Sequence, residues 1–134
     1  MAKLLSRLDS TGNLYIYGYY AATLTVKNAD GTTYGTLTNS GSNDLFLIKY
    51  NSSGQAQWAT YLDGNSSDFG YSVTTDSSGN VYITGQYSNS SGSVTVYNAN
   101  GNGQSASSIT LPSTTNYAAF LIKYNSSGQA QWAT

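Results

Sequence analysis

Cysteine, histidine and glutamate are absent from this chain of 134 residues, and proline occurs once. Without cysteine there is neither a disulfide framework nor a thiolate metal site. Without histidine and glutamate the commonest general bases and most paired-carboxylate arrangements are missing. All six acids are Asp and stand among Gly, Asn and Ser, the company of turn residues, so an enzyme is not expected, and neither is a cofactor. Charge is scarce as well: 8% of residues against the usual quarter or so, with a net charge of −1. So weak a field leaves no electrostatic footprint for a phosphate backbone, and a nucleic-acid partner is not expected. No apolar run approaches a membrane span, and insertion into a membrane is not expected. The opening MAKLLSRLD also lacks the apolar stretch of a signal peptide.

What the chain has is a repeat. Phe46 to Thr60, FLIKYNSSGQAQWAT, returns letter for letter as Phe120 to Thr134, 74 positions on. Identity over 15 residues is repetition rather than chance. Within it, Phe46-Leu47-Ile48-Lys49-Tyr50 is a run of strand formers, Asn51-Ser52-Ser53-Gly54 a turn, and Gln55 to Thr60 an alternating strand. A second correspondence joins residues 4–20 to residues 71–87, with eight of 17 positions identical, among them Asp9/Asp76, Gly12/Gly79, Tyr15/Tyr82 and Gly18/Gly85. Each copy reads strand, turn, strand, and the Asp-Ser-(Thr/Ser)-Gly-Asn turn has an Asx acceptor and a Gly able to take positive φ.

Between these hairpins each unit carries an extra one. Thr23 to Asn28 alternates, turns at Ala29-Asp30-Gly31 and returns through Thr38. Ser93 to Asn98 alternates, turns through Ala99-Asn100-Gly101 and returns near Ser108 to Leu111, where Pro112 ends the strand or puts it at an edge. The expected organisation is unit 1 at residues 1–60 with its inserted hairpin at about 21–40, a linker at 61–69, and unit 2 up to residue 134 with its insert at about 90–113. No helical periodicity of useful length is present.

Four strands per unit, a polar linker and tandem repetition form the pattern of a propeller blade; tight Gly turns demand antiparallel neighbours and argue against a solenoid. The fold class expected is all-β: two four-stranded antiparallel propeller-type blades, each with an inserted hairpin. GYSVTTDSSGNVYITG (Gly70 to Gly85) and DLFLIKYNSSGQAQWATYLDGNSSD (Asp44 to Asp68) resemble the bacterial beta-propeller repeat family SBBP. The resemblance covers the outer hairpins of both units. It implies a blade fold, an exported or cell-surface setting with the export signal outside this chain, and no catalytic motif.

A ring of blades needs about four to eight, and two leave their flanks bare. The chain is therefore expected to associate with other copies of itself as a ring or filament, through Leu4, Leu5, Phe46, Trp58, Phe120 and Trp132. Two alternatives stay open: a glycan- or surface-binding module of lectin type, and an engineered or truncated propeller fragment. The first would present Tyr34, Tyr97, Asp30 and Asn100 on the inserts. Tyr15, Tyr17 and Tyr19 share one strand face and could offer stacking surfaces for sugars, but Tyr15 and Tyr82 read as inter-unit packing, which needs large flat side chains. Asp63, Asn65 and Asp68 form an oxygen-rich stretch that could hold Ca²⁺ weakly, but it lacks the spacing and bidentate Glu of an EF-hand and reads as linker.

Overall fold

Alternation of β-branched and aromatic residues with Thr and Ser gives strands throughout. A computed structural model describes residues 3–90, 92–99 and 107–134, and these hold twelve strands and no helix. In the first unit β1 (Leu4–Leu8), β2 (Leu14–Tyr20), β5 (Asp44–Tyr50) and β6 (Ala56–Asp63) lie side by side in that order, all antiparallel. In the second, β7 (Phe69–Thr75), β8 (Val81–Asn89), β11 (Thr114–Tyr124) and β12 (Ala130–Ala133) repeat the arrangement. The inserts supply β3 (Leu24–Lys27) with β4 (Thr33–Leu37), and β9 (Val94–Tyr97) with β10 (Ser107–Leu111). Leu111 is the last residue of its strand because Pro112 has no N–H to continue the ladder.

Two expectations need correction. The first sheet has six strands rather than four, since β9 of the second insert pairs with β6 through Leu62↔Val96 and Asp63↔Thr95. The first insert forms a two-stranded sheet of its own. The linker is also shorter than expected: Tyr61, Leu62 and Asp63 extend β6, so only residues 64–68 separate it from β7. Both differences have one cause, for a longer β6 offers the free edge on which β9 docks.

The Asx turns close as their composition requires. Asp9 accepts from the N–H groups of Thr11 and Asn13, each at 2.9 Å, and Asp76 accepts from those of Ser78 and Asn80 at 3.0 and 2.9 Å. Gly18 and Gly85 are fixed by crowding rather than by φ. A Cβ at either would stand 2.2 Å from a carbonyl oxygen, that of Lys3 just before β1 or of Phe69 in β7, and would strike the ring of Phe46 or Phe120.

Two apolar clusters result. The larger joins the units face to face: Tyr15, Tyr17, Leu45, Leu47, Trp58 and Leu62 of the first against Val73, Val81, Ile83, Phe120, Ile122 and Tyr124 of the second. The smaller lies on the opposite face of the first unit, where Val26 and Leu37 of its insert cover Phe46, Ile48 and Ala59. At about 1.5–3 kcal/mol per fully buried large apolar side chain, the larger cluster dominates cohesion between the units.

Candidate functional site

The seam between the units is held at one corner by tryptophan. Trp58 on β6 lies with its ring centroid 6.0 Å from that of Tyr15, tilted by 58°. Its Nε1–H donates to the Ser126 carbonyl at 2.9 Å, and the Lys49 ammonium, 5.7 Å above the Tyr15 ring, donates to the same oxygen at 3.2 Å. Gly128 closes the slot from the other unit, since a Cβ there would stand 2.8 Å from the indole. At the far corner Tyr17 fills the space over Gly70 and donates to the Thr84 carbonyl at 3.1 Å. Burial raises the Tyr17 hydroxyl well above its ordinary pKa, with the Tyr124 hydroxyl and the Asp68 carboxylate adding to the effect. It is therefore a permanent donor.

The turn that caps Trp58 is held from behind by the insert. Ala99 N–H donates to the Gly128 carbonyl at 2.9 Å, and the Asn98 side chain accepts from Ala130 N–H at 2.9 Å. The same two bonds recur in the first unit as Ala29 to Gly54 and Ala56 to Asn28, each 2.9 Å. The anchoring dipeptide Asn-Ala at 28–29 and 98–99 was visible in both inserts, but nothing in the sequence said what it would touch.

Around the linker, Asp44 at the start of β5, Asp63 at the end of β6 and Asp68 just before β7 act on one another. Asp44 takes the Ser40 N–H and the Asn39 amide, each at 3.0 Å, while Asp63 accepts from the Ser40 hydroxyl. Asp68 is fully buried and, among the described residues, neither of its oxygens completes a hydrogen bond, the Ser88 backbone offering only partial relief. Burial, together with the charges of Asp44 and Asp63, pushes its carboxyl up to about 7. Burial likewise raises Asp44. Among the described residues no group of three or more Asp side chains is placed so that it could hold a metal ion.

The expected assembly residues divide. Phe46, Trp58 and Phe120 are buried inside the chain, a correction with a plain reason: the first insert covers Phe46, and Trp58 and Phe120 lie in the cluster that joins the two units. Leu4 stays exposed, Leu5 packs at the edge of the larger cluster, and Trp132 is 41% exposed. Of the expected ligand-facing group, Tyr34 donates to the Gln57 carbonyl at 3.2 Å and Tyr97 stacks on Tyr61 at 4.5 Å. Asp30 caps its own turn, accepting from Thr32 N–H at 2.9 Å, and Asn100 lies outside the described residues. Tyr15 is buried in the seam, as inter-unit packing requires, and Tyr17 lies beside it, whereas Tyr82 is only half-buried, against Trp132 of its own unit, because no further unit lies over that face.

A model of the family described as SBBP, beta-propeller repeat, matches residues 57–92. That segment runs from β6 across the linker to the end of β8, so it spans the seam. A protein of Acanthamoeba polyphaga mimivirus described as an uncharacterized WD repeat-containing protein is 26% identical over 138 residues. The match covers 92% of this chain and 10% of that protein, of whose length this chain therefore spans about a tenth. No solved structure matches the chain. The chain is all-β with antiparallel sheets, and its residues 57–92 are similar to the SBBP beta-propeller repeat.

Proposed function

We propose that the chain is a non-enzymatic structural module, two propeller blades each carrying an inserted hairpin, that completes a ring or filament by stacking on further copies in an extracellular or cell-surface setting. What carries this reading is the unequal cover of equivalent faces. The face of the first unit that bears Tyr15, Leu47 and Trp58 is buried, while the matching face of the second, with Tyr82, Leu121 and Trp132, is half-exposed. Conversely Val81, Ile83 and Tyr124 are buried, while their counterparts Leu14, Ile16 and Tyr50 are only partly so. Each bare face has its complement at the other end of the same chain, which is the condition for head-to-tail, heterologous association. Several hundred Å² of such surface, at about 25 cal/mol per Å², is worth several kcal/mol when covered.

The glycan-binding alternative has less support, because Tyr34, Tyr97 and Asp30 already spend their rings or polar atoms within the fold. Analytical ultracentrifugation over a wide concentration range tests the proposal. Species above 14.2 kDa that grow with concentration are expected, and a folded solitary 14.2 kDa particle throughout would overturn it.

A further inference from the structure

Resting on the self-association proposed above, we infer that Trp132 is the anchor of the contact between copies, entering a socket on the first unit of the next copy and donating its indole N–H to the Ser52 carbonyl. The internal seam is the template. Trp132 stands over Tyr82 at 6.3 Å and 58°, against 6.0 Å and 58° for Trp58 over Tyr15. The Lys123 ammonium lies 5.7 Å above the Tyr82 ring, the same distance as Lys49 above Tyr15. The donor half of the corner is therefore prebuilt on the second unit, and it lacks only what Ser126 and Gly128 supply to Trp58.

The acceptor half is prebuilt on the first unit. Asn51-Ser52-Ser53-Gly54 closes as Asn125-Ser126-Ser127-Gly128 does, with Gly φ of 75° and 78° and the same brace from the insert at Ala29 and Ala99. Trp58 presses on Gly128, yet among the described residues only Ala29 stands within 4 Å of a Cβ placed on Gly54. In the place of the missing indole is a cleft of about 420 Å³, lined by Leu14, Ile16, Ala29, Tyr50, Ser52 and Gly54. Its apolar walls match the indole ring, and Ser52 offers the carbonyl.

The rest of the face matches less well, which is why the tryptophan carries the contact. Tyr17, Tyr19 and Leu45 of the internal seam have Thr84, Gln86 and Ala119 as counterparts on the exposed face. The tyrosine corner is lost between copies and the Trp–Lys–Tyr corner is kept. A buried aromatic anchor ringed by weaker contacts is the usual distribution of binding energy in an interface.

The test is sedimentation equilibrium of the wild-type chain, Trp132→Ala and Trp58→Phe, with the emission of Trp58→Phe followed against concentration. Loss of Trp132 should weaken association by at least about tenfold while leaving the circular dichroism unchanged, because the side chain is exposed in the single chain. In Trp58→Phe the remaining indole should shift to the blue as the copies associate. Wild-type association that Trp132→Ala leaves within about twofold would overturn the socket and leave self-assembly standing. A wild-type chain that never associates would overturn both. Should Trp58→Phe disturb folding, the comparison of wild type with Trp132→Ala decides alone.

Discussion

Trp58 and Trp132 sit in the same fifteen letters and come to different ends. One is 5% exposed, the other 41%. Nothing local separates them: strand, preceding turn, tyrosine neighbour and lysine are shared. The difference is whether another unit lies against the face. Burial in a repeat is thus a property of the seam rather than of the sequence unit, as expected where each unit contacts only its neighbours.

Three tests would break or sharpen this contrast. The largest effect is expected from Trp58→Ala, which removes a buried indole and leaves the Ser126 carbonyl with the Lys49 ammonium as its remaining donor; about 3–5 kcal/mol of unfolding free energy should be lost. Trp132→Ala should lose less than about 1 kcal/mol when measured dilute. Urea unfolding of both at low protein concentration checks the pair, and equal losses would dissolve the contrast.

Next comes Asp68→Asn, which addresses the linker side of the seam. The Asp68 carboxyl is raised from the ordinary 3.8 to about 7 in the folded chain, so the folded state holds its proton more tightly than the unfolded one. Its contribution is complete below about pH 4 and is lost as pH rises through 7. Asp44 is shifted in the same direction. Asparagine has no proton to lose, so the variant should gain about 2 kcal/mol over wild type at pH 8 and little at pH 5. Denaturation midpoints at the two pH values decide it, and parallel curves would refute the buried-acid account. For Asp9, burial alone would act upward, but hydrogen bonds from Asn13 and Thr11 hold its carboxyl well below the usual range. Asp76 is held low chiefly by Asn80. Those two turns weaken only below about pH 4, outside the window of the test.

The smallest effect separates Gly128→Ala from Gly54→Ala. Both glycines have positive φ and both face an alanine of the insert, so a cost of about 1–2 kcal/mol is common to the two. At Gly128 the new methyl also strikes the Trp58 indole, adding about 1 kcal/mol or more. The difference between the two midpoints isolates the indole contact. Its disappearance in a Trp58→Ala background would tie it to the seam.

Much of the architecture was legible in the letters. The Asp and Asn turns, the outer hairpins, the inserts and the strand end before Pro112 follow from φ, Asx bonding and the missing proline N–H, all of which act within a few residues. Tyr15 is readable as packing because a strand puts alternate residues on one face, but the same reading of Tyr82 needs a neighbouring unit that its face does not have. Phe46 and Phe120 were misplaced on an outer surface because strand alternation gives two faces and does not say which one the insert will cover. The docking of β9 on β6 was not legible either, since pairing Leu62 with Val96 brings together residues 34 apart whose local patterns are equally content with other partners. The cluster of Asp44 with Asp68 was hidden for the same reason.

By itself the sequence determined twelve strands' worth of local geometry and the two-fold repetition of one unit, because turn chemistry and alternation operate at short range. Only the tertiary structure decided which copy of an identical segment would be buried, how far β6 would run, and where an acid would be buried beside other acids. Those outcomes depend on what lies across a gap from each face, and a residue's own neighbours in the chain do not carry that information.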